Sequence, residues 1–265
     1  MTTVTLSPTH TVTRPRSSAA RTWHYFIHSL AAMLRDWAFM AFIIALPVTM
    51  YLFFAGIYGD QEASGGVAVA AVMMVTMATY GGLGAAMNAG AVIQSERSSG
   101  WFRQLMISPL TPSGFVTVKV ATAVCAVIPA LLAVFIAGII RGVRLPLETW
   151  LATFGVLMVA LLPMVFLGLV IGLWFKQQTA TAVTTLTMLA LAMIGGLWFP
   201  VDMMPGWMQP ISKSLPSYWA GRIGMWPVIG GEFPWRGVLI IGIWTLGLLV
   251  LGGLGYRRAV RTSRR

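Results

Sequence analysis

The sequence predicts an all-α integral membrane protein: six transmembrane helices, led by an interfacial amphipathic helix and interrupted before the last span by a re-entrant helical pair. Three observations carry this. The 265 residues are 57% hydrophobic and 9% charged, with a mean hydropathy of +0.80, whereas soluble domains carry about 25% charged residues. Apolar runs recur at 37–58, 66–93, 112–140, 149–174, 178–199 and 236–256, and a span needs about 20 apolar residues to cross about 30 Å of hydrocarbon. The basic residues gather at the ends of those runs, as membrane topology signals do.

Residues 1–20 are rich in Ser and Thr, carry Arg14 and Arg16 and contain no acid. They read as a disordered cytosolic tail. The first apolar run starts late and is long enough to span, which argues against a cleaved leader. Residues 21–36 form the interfacial helix. Trp23, Phe26, Ile27, Leu30 and Leu34 recur at three- and four-residue spacing, opposite Arg21, His24, His28 and Arg35, the pattern of a helix lying in the headgroup layer. His24 and His28 share a face, but no third metal ligand is near. The spanning domain is 37–256, and its second and third runs are long enough to tilt or project. Gly81, Gly82, Gly84, Ala85, Ala86, Gly90 and Ala91 in the second run suit close helix approach. That approach is either to neighbours in the same chain or to a second subunit. In the link 199–235, Phe199-Pro200, Pro205-Gly206-Trp207 and Leu215-Pro216 alternate prolines with aromatics. Proline forbids one straight helix and aromatics favour the headgroup layer. Two short helices dipping into the outer leaflet, or a surface loop with an aromatic belt, both fit. Residues 257–265 are a basic cytosolic tail.

With the N-terminus inside, 13 of the 18 Lys and Arg residues fall on the inner side, so both termini are expected in the cytosol. The net charge of +11 then suits anionic lipid headgroups better than nucleic acid. Cys125 sits inside an apolar run and has no partner for an intrachain disulfide.

The chemistry of an enzyme is not legible. The middles of the runs hold no Asp, Glu, Lys, Arg or His, which disfavours ion-coupled carriers and intramembrane hydrolases. Lys119, Lys176 and Lys213 follow no glycine-rich phosphate loop. If transport is energised, the energy enters through a partner. The contact is expected in the charged segment 95–109, between two long apolar runs. Pro109 stops a short helix there, and Thr111-Pro112 resembles an N-cap with proline at the first helical position. A plain solvated turn is the alternative.

That segment carries a recognisable pattern. Glu96-Arg97-x-x-Gly100-x-x-x-Gln104-Leu105-x-x-Ser108-Pro109 resembles the E-R-x-x-G-x-x-x-Q-L-x-x-[ST]-P segment of ABC-2-type permeases, the membrane subunits of bacterial type-2 ABC exporters. The interfacial helix, the six runs and the broken Phe199-Pro200…Pro205-Gly206-Trp207…Pro216 link are similar too, and the drug-resistance branch is nearest in character. The resemblance implies a pair of permeases, expected as a homodimer in the bacterial inner membrane, working with two separate cytosolic ABC ATPase subunits that bind ATP and Mg; no cofactor is expected in this chain. It implies a coupling elbow of Glu96, Arg97, Gly100, Trp101, Gln104 and Leu105 seated in the ATPase. It implies a re-entrant link marked by Phe199, Pro200, Pro205, Trp207 and Pro216. Cargo would pass along the dimer interface, lined by the second and fifth spans. Trp101-Phe102 departs from less aromatic relatives. The expected function is export of a hydrophobic or amphipathic molecule, a drug, antibiotic or lipid. A glycan or peptide exporter of the same family, or a non-energised scaffold, are the alternatives.

Overall fold

The computed structural model describes residues 18–59, 61, 67–98 and 112–263. Its elements are helical throughout. In chain order they are α1 (Ser18–Arg35), α2 (Trp37–Tyr58), α3 (Val69–Met87), α4 (Ala89–Ser98), α5 (Pro112–Ile140), α6 (Leu147–Ala160), α7 (Leu162–Trp174), α8 (Gln177–Ile194), a 3₁₀ turn (Val201–Met203), α9 (Met208–Ser214), α10 (Pro216–Ile229) and α11 (Trp235–Ser263).

Four helical runs are long and apolar enough to cross a membrane: Val69–Gln94, Gly114–Ile140, Leu147–Trp174 and Trp235–Arg258. Of the six expected runs, the other two differ. In the first, the described apolar stretch is the shorter Ile43–Tyr58. The fifth is α8, which threonines make less apolar. It also stops at Ile194 rather than 199. Gly196 turns left-handed at φ +75°, and the Leu197 N–H returns to the Ala192 carbonyl at 3.0 Å, the closing bond of a Schellman stop.

The second run is the hub. Fourteen of the nineteen residues of α3 are buried, and it packs on α2, α5, α7, α8 and α10. A helix apolar all round belongs inside a bundle. Its small residues are spent on neighbours in the same chain. A Cβ on Gly82 would stand 2.4 Å from Leu161 Cδ1, and one on Gly81 3.0 Å from Pro47 Cγ of α2. Where α4 crosses α7 the backbones touch. A Cβ on Gly90 would lie 2.2 Å from the Gly168 carbonyl oxygen, and one on Gly172 2.5 Å from that of Gly90. Gly168 and Gly172 are a G-x-x-x-G pair, whose bare face admits a second helix in lipid, where apolarity gives no preference between neighbours. Gly84 is different: it is half-buried and meets only Met188 of α8, at 3.4 Å.

The fourth run is interrupted where α6 gives way to α7 at Leu161, two residues before Pro163, whose missing N–H cannot bond into the preceding turn. α1 lies along α5 with Met33 buried and the Tyr25 ring stacked 6.2 Å from Phe115, while Trp23, Ile27 and Leu34 stay exposed. Ser18–Ala20, counted with the tail in the sequence reading, form its first turn. α11 runs beyond 256 to Ser263, so part of the basic tail is helical. Only 17% of its apolar window is buried within the chain, against 67% for Val69–Gln94; Leu239, Leu246 and Val250 are exposed on it.

Candidate functional site

The expected elbow begins on α4. Glu96 and Arg97 occupy the last turn of that helix. Gly100, Trp101, Gln104 and Leu105 lie outside the described residues, as do Ser108 and Pro109. The surroundings of the motif are nonetheless defined, because α4 is wedged against α7 and α8.

The wedge is fastened by Gln94, two residues before Glu96 and only 6% exposed. With its amide nitrogen toward the α7 end, the side chain donates to the Gly172 carbonyl at 2.8 Å and the Phe175 carbonyl at 3.1 Å, and its oxygen accepts from the Gln177 N–H at 2.7 Å. Only this amide orientation satisfies all three partners. The last carbonyls of one helix and the first N–H groups of the next have no partner within their own helices. At the α8 N-terminus the N-cap residue Lys176 makes no side-chain capping bond. One glutamine therefore caps both sides of the α7–α8 corner from a third helix. Sequence reasoning missed it, since a polar residue at the end of a span reads as a headgroup marker.

Beside this corner, Lys119 is the one buried charge among the described residues, 3% exposed. Its ammonium sits 5.2 Å from the Tyr25 ring centroid and 5.6 Å from that of Phe115, close enough for cation–π attraction. It links α5 to α1 at the same end of the bundle.

The proline–aromatic link is at the opposite end. Phe199 and Trp207 are exposed, Pro200 precedes the 3₁₀ turn, Pro205 leads to α9, and Pro216 stands buried at the start of α10. The link thus holds two helices, and α10 is packed into the bundle against α3, α6 and α11. Ser217 Oγ donates to the Leu191 carbonyl at 2.7 Å, and Ser212 Oγ donates to the Ile194 carbonyl. Both tie the link to the end of α8. Trp219 and Trp244 donate ring N–H bonds to the carbonyls of Lys213 and Ser214, at 2.8 and 3.0 Å, which satisfies the carbonyl end of α9.

A groove of about 180 Å³ runs between α2, α3 and α8, lined by Tyr80, Gly84, Asn88, Thr181, Thr184 and Met188 among others. Thr181, Thr185 and Leu186 of α8 are exposed. This mixed face contrasts with the aliphatic face of α11. Tyr80 closes the inner wall, its ring edge-on to Trp198 at 5.3 Å.

Two comparisons bear on these features. The family model described as ABC-2 type transporter matches residues 21–229. A protein of Bacillus subtilis (strain 168) named "Putative transport permease YvfS" is 27% identical over 222 residues, which cover 81% of this chain and 88% of that protein.

Proposed function

The chain belongs to the ABC-2 type transporter family, and from that premise we propose that it is the permease subunit of an exporter driven by a separate ATP-hydrolysing subunit, carrying a hydrophobic or amphipathic molecule. In this reading the chain crosses the inner membrane six times with both termini in the cytosol, and α9 and α10 form the re-entrant pair. The 13-of-18 basic asymmetry supports that orientation. Two permeases, most simply identical, pair with two ATPases.

The observation that carries the reading is the continuity from motif to core. The buried hub α3 passes through Asn88 into α4, which ends in Glu96-Arg97 and is bonded through Gln94 to the corner of α7 and α8. A displacement applied at 96–108 has a mechanical route into the helix that lines the groove. Such transitions use packed elements with two arrangements rather than continuous deformation. The groove supports the cargo class: threonine hydroxyls and Asn88 among aliphatic and aromatic carbon suit an amphipath, and among the described residues no charged side chain lines it. The Thr-bearing α8 face supports pairing with a second copy there, since polar side chains are favoured at helix interfaces over lipid.

The test is the Glu96→Ala/Arg97→Ala double variant. Reconstituted with its ATPase, it is expected to hydrolyse ATP without moving cargo, while remaining assembled in the membrane. Undiminished export by a well-expressed double variant counts against the elbow.

A further inference from the structure

Tyr80 stands near the middle of the Val69–Gln94 run, about 16 Å of helix from the nearer end. It is 3% exposed and lines the groove between α2, α3 and α8, yet its hydroxyl makes no hydrogen bond to any described residue. Threonines of the same bundle spend their hydroxyls on their own helices. Thr79 donates to the Val75 carbonyl at 2.7 Å, Thr245 to that of Ile241 at 2.7 Å and Thr181 to that of Gln177 at 3.1 Å. Thr184 is half-buried, lines the same groove and makes no such bond. The Asn88 side chain, also on the groove, makes none either, although it stands at the α3–α4 junction, where asparagine commonly bonds local backbone. Beside Tyr80, whose ring rests edge-on to Trp198 at 5.3 Å, the Trp198 Nε1–H is buried with no acceptor. An unmade donor is rarer in folded proteins than an under-used lone pair, and the hydrocarbon layer holds no water to accept in its place. What these side chains lack is an acceptor. Tyr80 and Asn88 are eight residues apart, about 12 Å along the run, so an occupant of the groove meets donors at two levels.

We propose that Tyr80, Asn88 and Thr184 select cargo by its oxygen acceptors: a lipophilic skeleton carrying ester, ketone or ether groups, one of them accepting from the Tyr80 hydroxyl. The assignment rests on the permease reading above, which makes the groove a cargo site. Acceptor-only oxygens complement unspent O–H and N–H groups, whereas a bare hydrocarbon of the same shape leaves all of them unmade. Sites built to hydrogen-bond a ligand reject the analogue that lacks the group for this reason. Tyr80 is the selecting residue, because its ring is fixed against Trp198 and its hydroxyl is the deepest of the three.

The test is photolabelling of the purified chain in phosphatidylcholine nanodiscs with two diazirine probes of equal chain length, one ending in a δ-lactone and the other in methylcyclohexane, mapped by peptide mass spectrometry. The wild type is expected to be labelled on α3 and α8 by the lactone, saturably and about threefold more than by the hydrocarbon. Tyr80→Phe keeps the ring against Trp198 and is expected to lower lactone labelling about threefold, the scale of one hydrogen bond inside a membrane protein, with hydrocarbon labelling unchanged; Asn88→Leu is expected to act in the same direction. A Cβ on Gly84 meets only Met188 Sδ at 3.4 Å, so Gly84→Val fills the groove and is expected to reduce labelling by both probes. Equal labelling of the wild type by the two probes overturns the proposal, as does unchanged lactone labelling in both Tyr80→Phe and Asn88→Leu. So does a Tyr80→Phe chain that loses pairing with a second copy while keeping its lactone labelling, since the acceptor then belongs to that copy. The assay needs no ATPase. Its failure beside a co-purifying ATPase removes the cargo class and leaves the permease reading, whereas lactone selectivity without any ATPase leaves the site and removes the reading.

Discussion

Gln94→Leu is expected to loosen the α7–α8 corner while sparing the rest of the bundle. The change keeps approximate size and apolar contact but removes three hydrogen bonds, to Gly172 and Phe175 carbonyls and from the Gln177 N–H. Side-chain hydrogen bonds inside membrane proteins average about 0.6 kcal/mol each, so three are worth about 2 kcal/mol. Leaving those backbone groups buried and unpaired pushes the cost upward, since each carries a desolvation penalty of about 1–3 kcal/mol. Hydrogen–deuterium exchange reads the effect where it arises. Amides in the first turn of α8 are expected to exchange about 30-fold faster, because about 1.4 kcal/mol is a factor of ten, with α10 and the Ser217 contact unchanged. If Gln94→Leu leaves exchange at 177–180 within twofold of wild type, the double cap does not hold the corner and the mechanical route argued from it fails.

Other outcomes follow from the close approaches. Gly90→Val places carbon against the Gly168 carbonyl, where even a Cβ stands at 2.2 Å; overpacking costs about 1–3 kcal/mol, and a lowered unfolding temperature in detergent is expected, whereas Gly242→Ala, with nothing within 4 Å, is the near-neutral control. Gly196→Ala forces a side chain into a left-handed conformation at a cost of about 1–2 kcal/mol, expected as a lower melting temperature and faster exchange at the end of α8. Thr185→Cys, on the exposed α8 face, is expected to cross-link two copies in membranes under oxidation when Cys125 is replaced by Ser, while Leu246→Cys on α11 is not; the reverse pattern, read on a non-reducing gel, moves the pairing face to α11.

The helical class and the long apolar runs were readable because lipid leaves the backbone no alternative to internal hydrogen bonding, and length with composition then carries most of the signal. Breaks within runs were harder. The break at Leu161 rests on Pro163, which the sequence displays, yet a proline in a transmembrane helix does not reveal whether neighbours re-satisfy the freed carbonyl. The early stop of α8 was signalled by Gly195-Gly196, a pair that the apolar average over 178–199 hides. Small residues in the second run suited either intrachain packing or a partner. The carbonyls of Gly168 and Gly90 decide for the former at Gly90, and Gly168-x-x-x-Gly172 was a pattern that sequence inspection had available and did not use. Gln94 was not legible at all. Its role depends on two backbone termini about 80 residues away being brought beside it, information that no local pattern contains. The α8 face and the groove at Tyr80 belong to the same class, since each is made by three or four helices meeting.

The measurement that bears most directly on the central claim is mass spectrometry of the complex purified from native membranes through a tag on the C-terminus. A permease driven by a separate subunit predicts a soluble ATPase with a phosphate-binding loop at about one copy per chain, retained but uncoupled from export in the Glu96→Ala/Arg97→Ala variant. An intact complex that reproducibly lacks any such ATPase contradicts the account, and turns the same apolar bundle into a membrane scaffold.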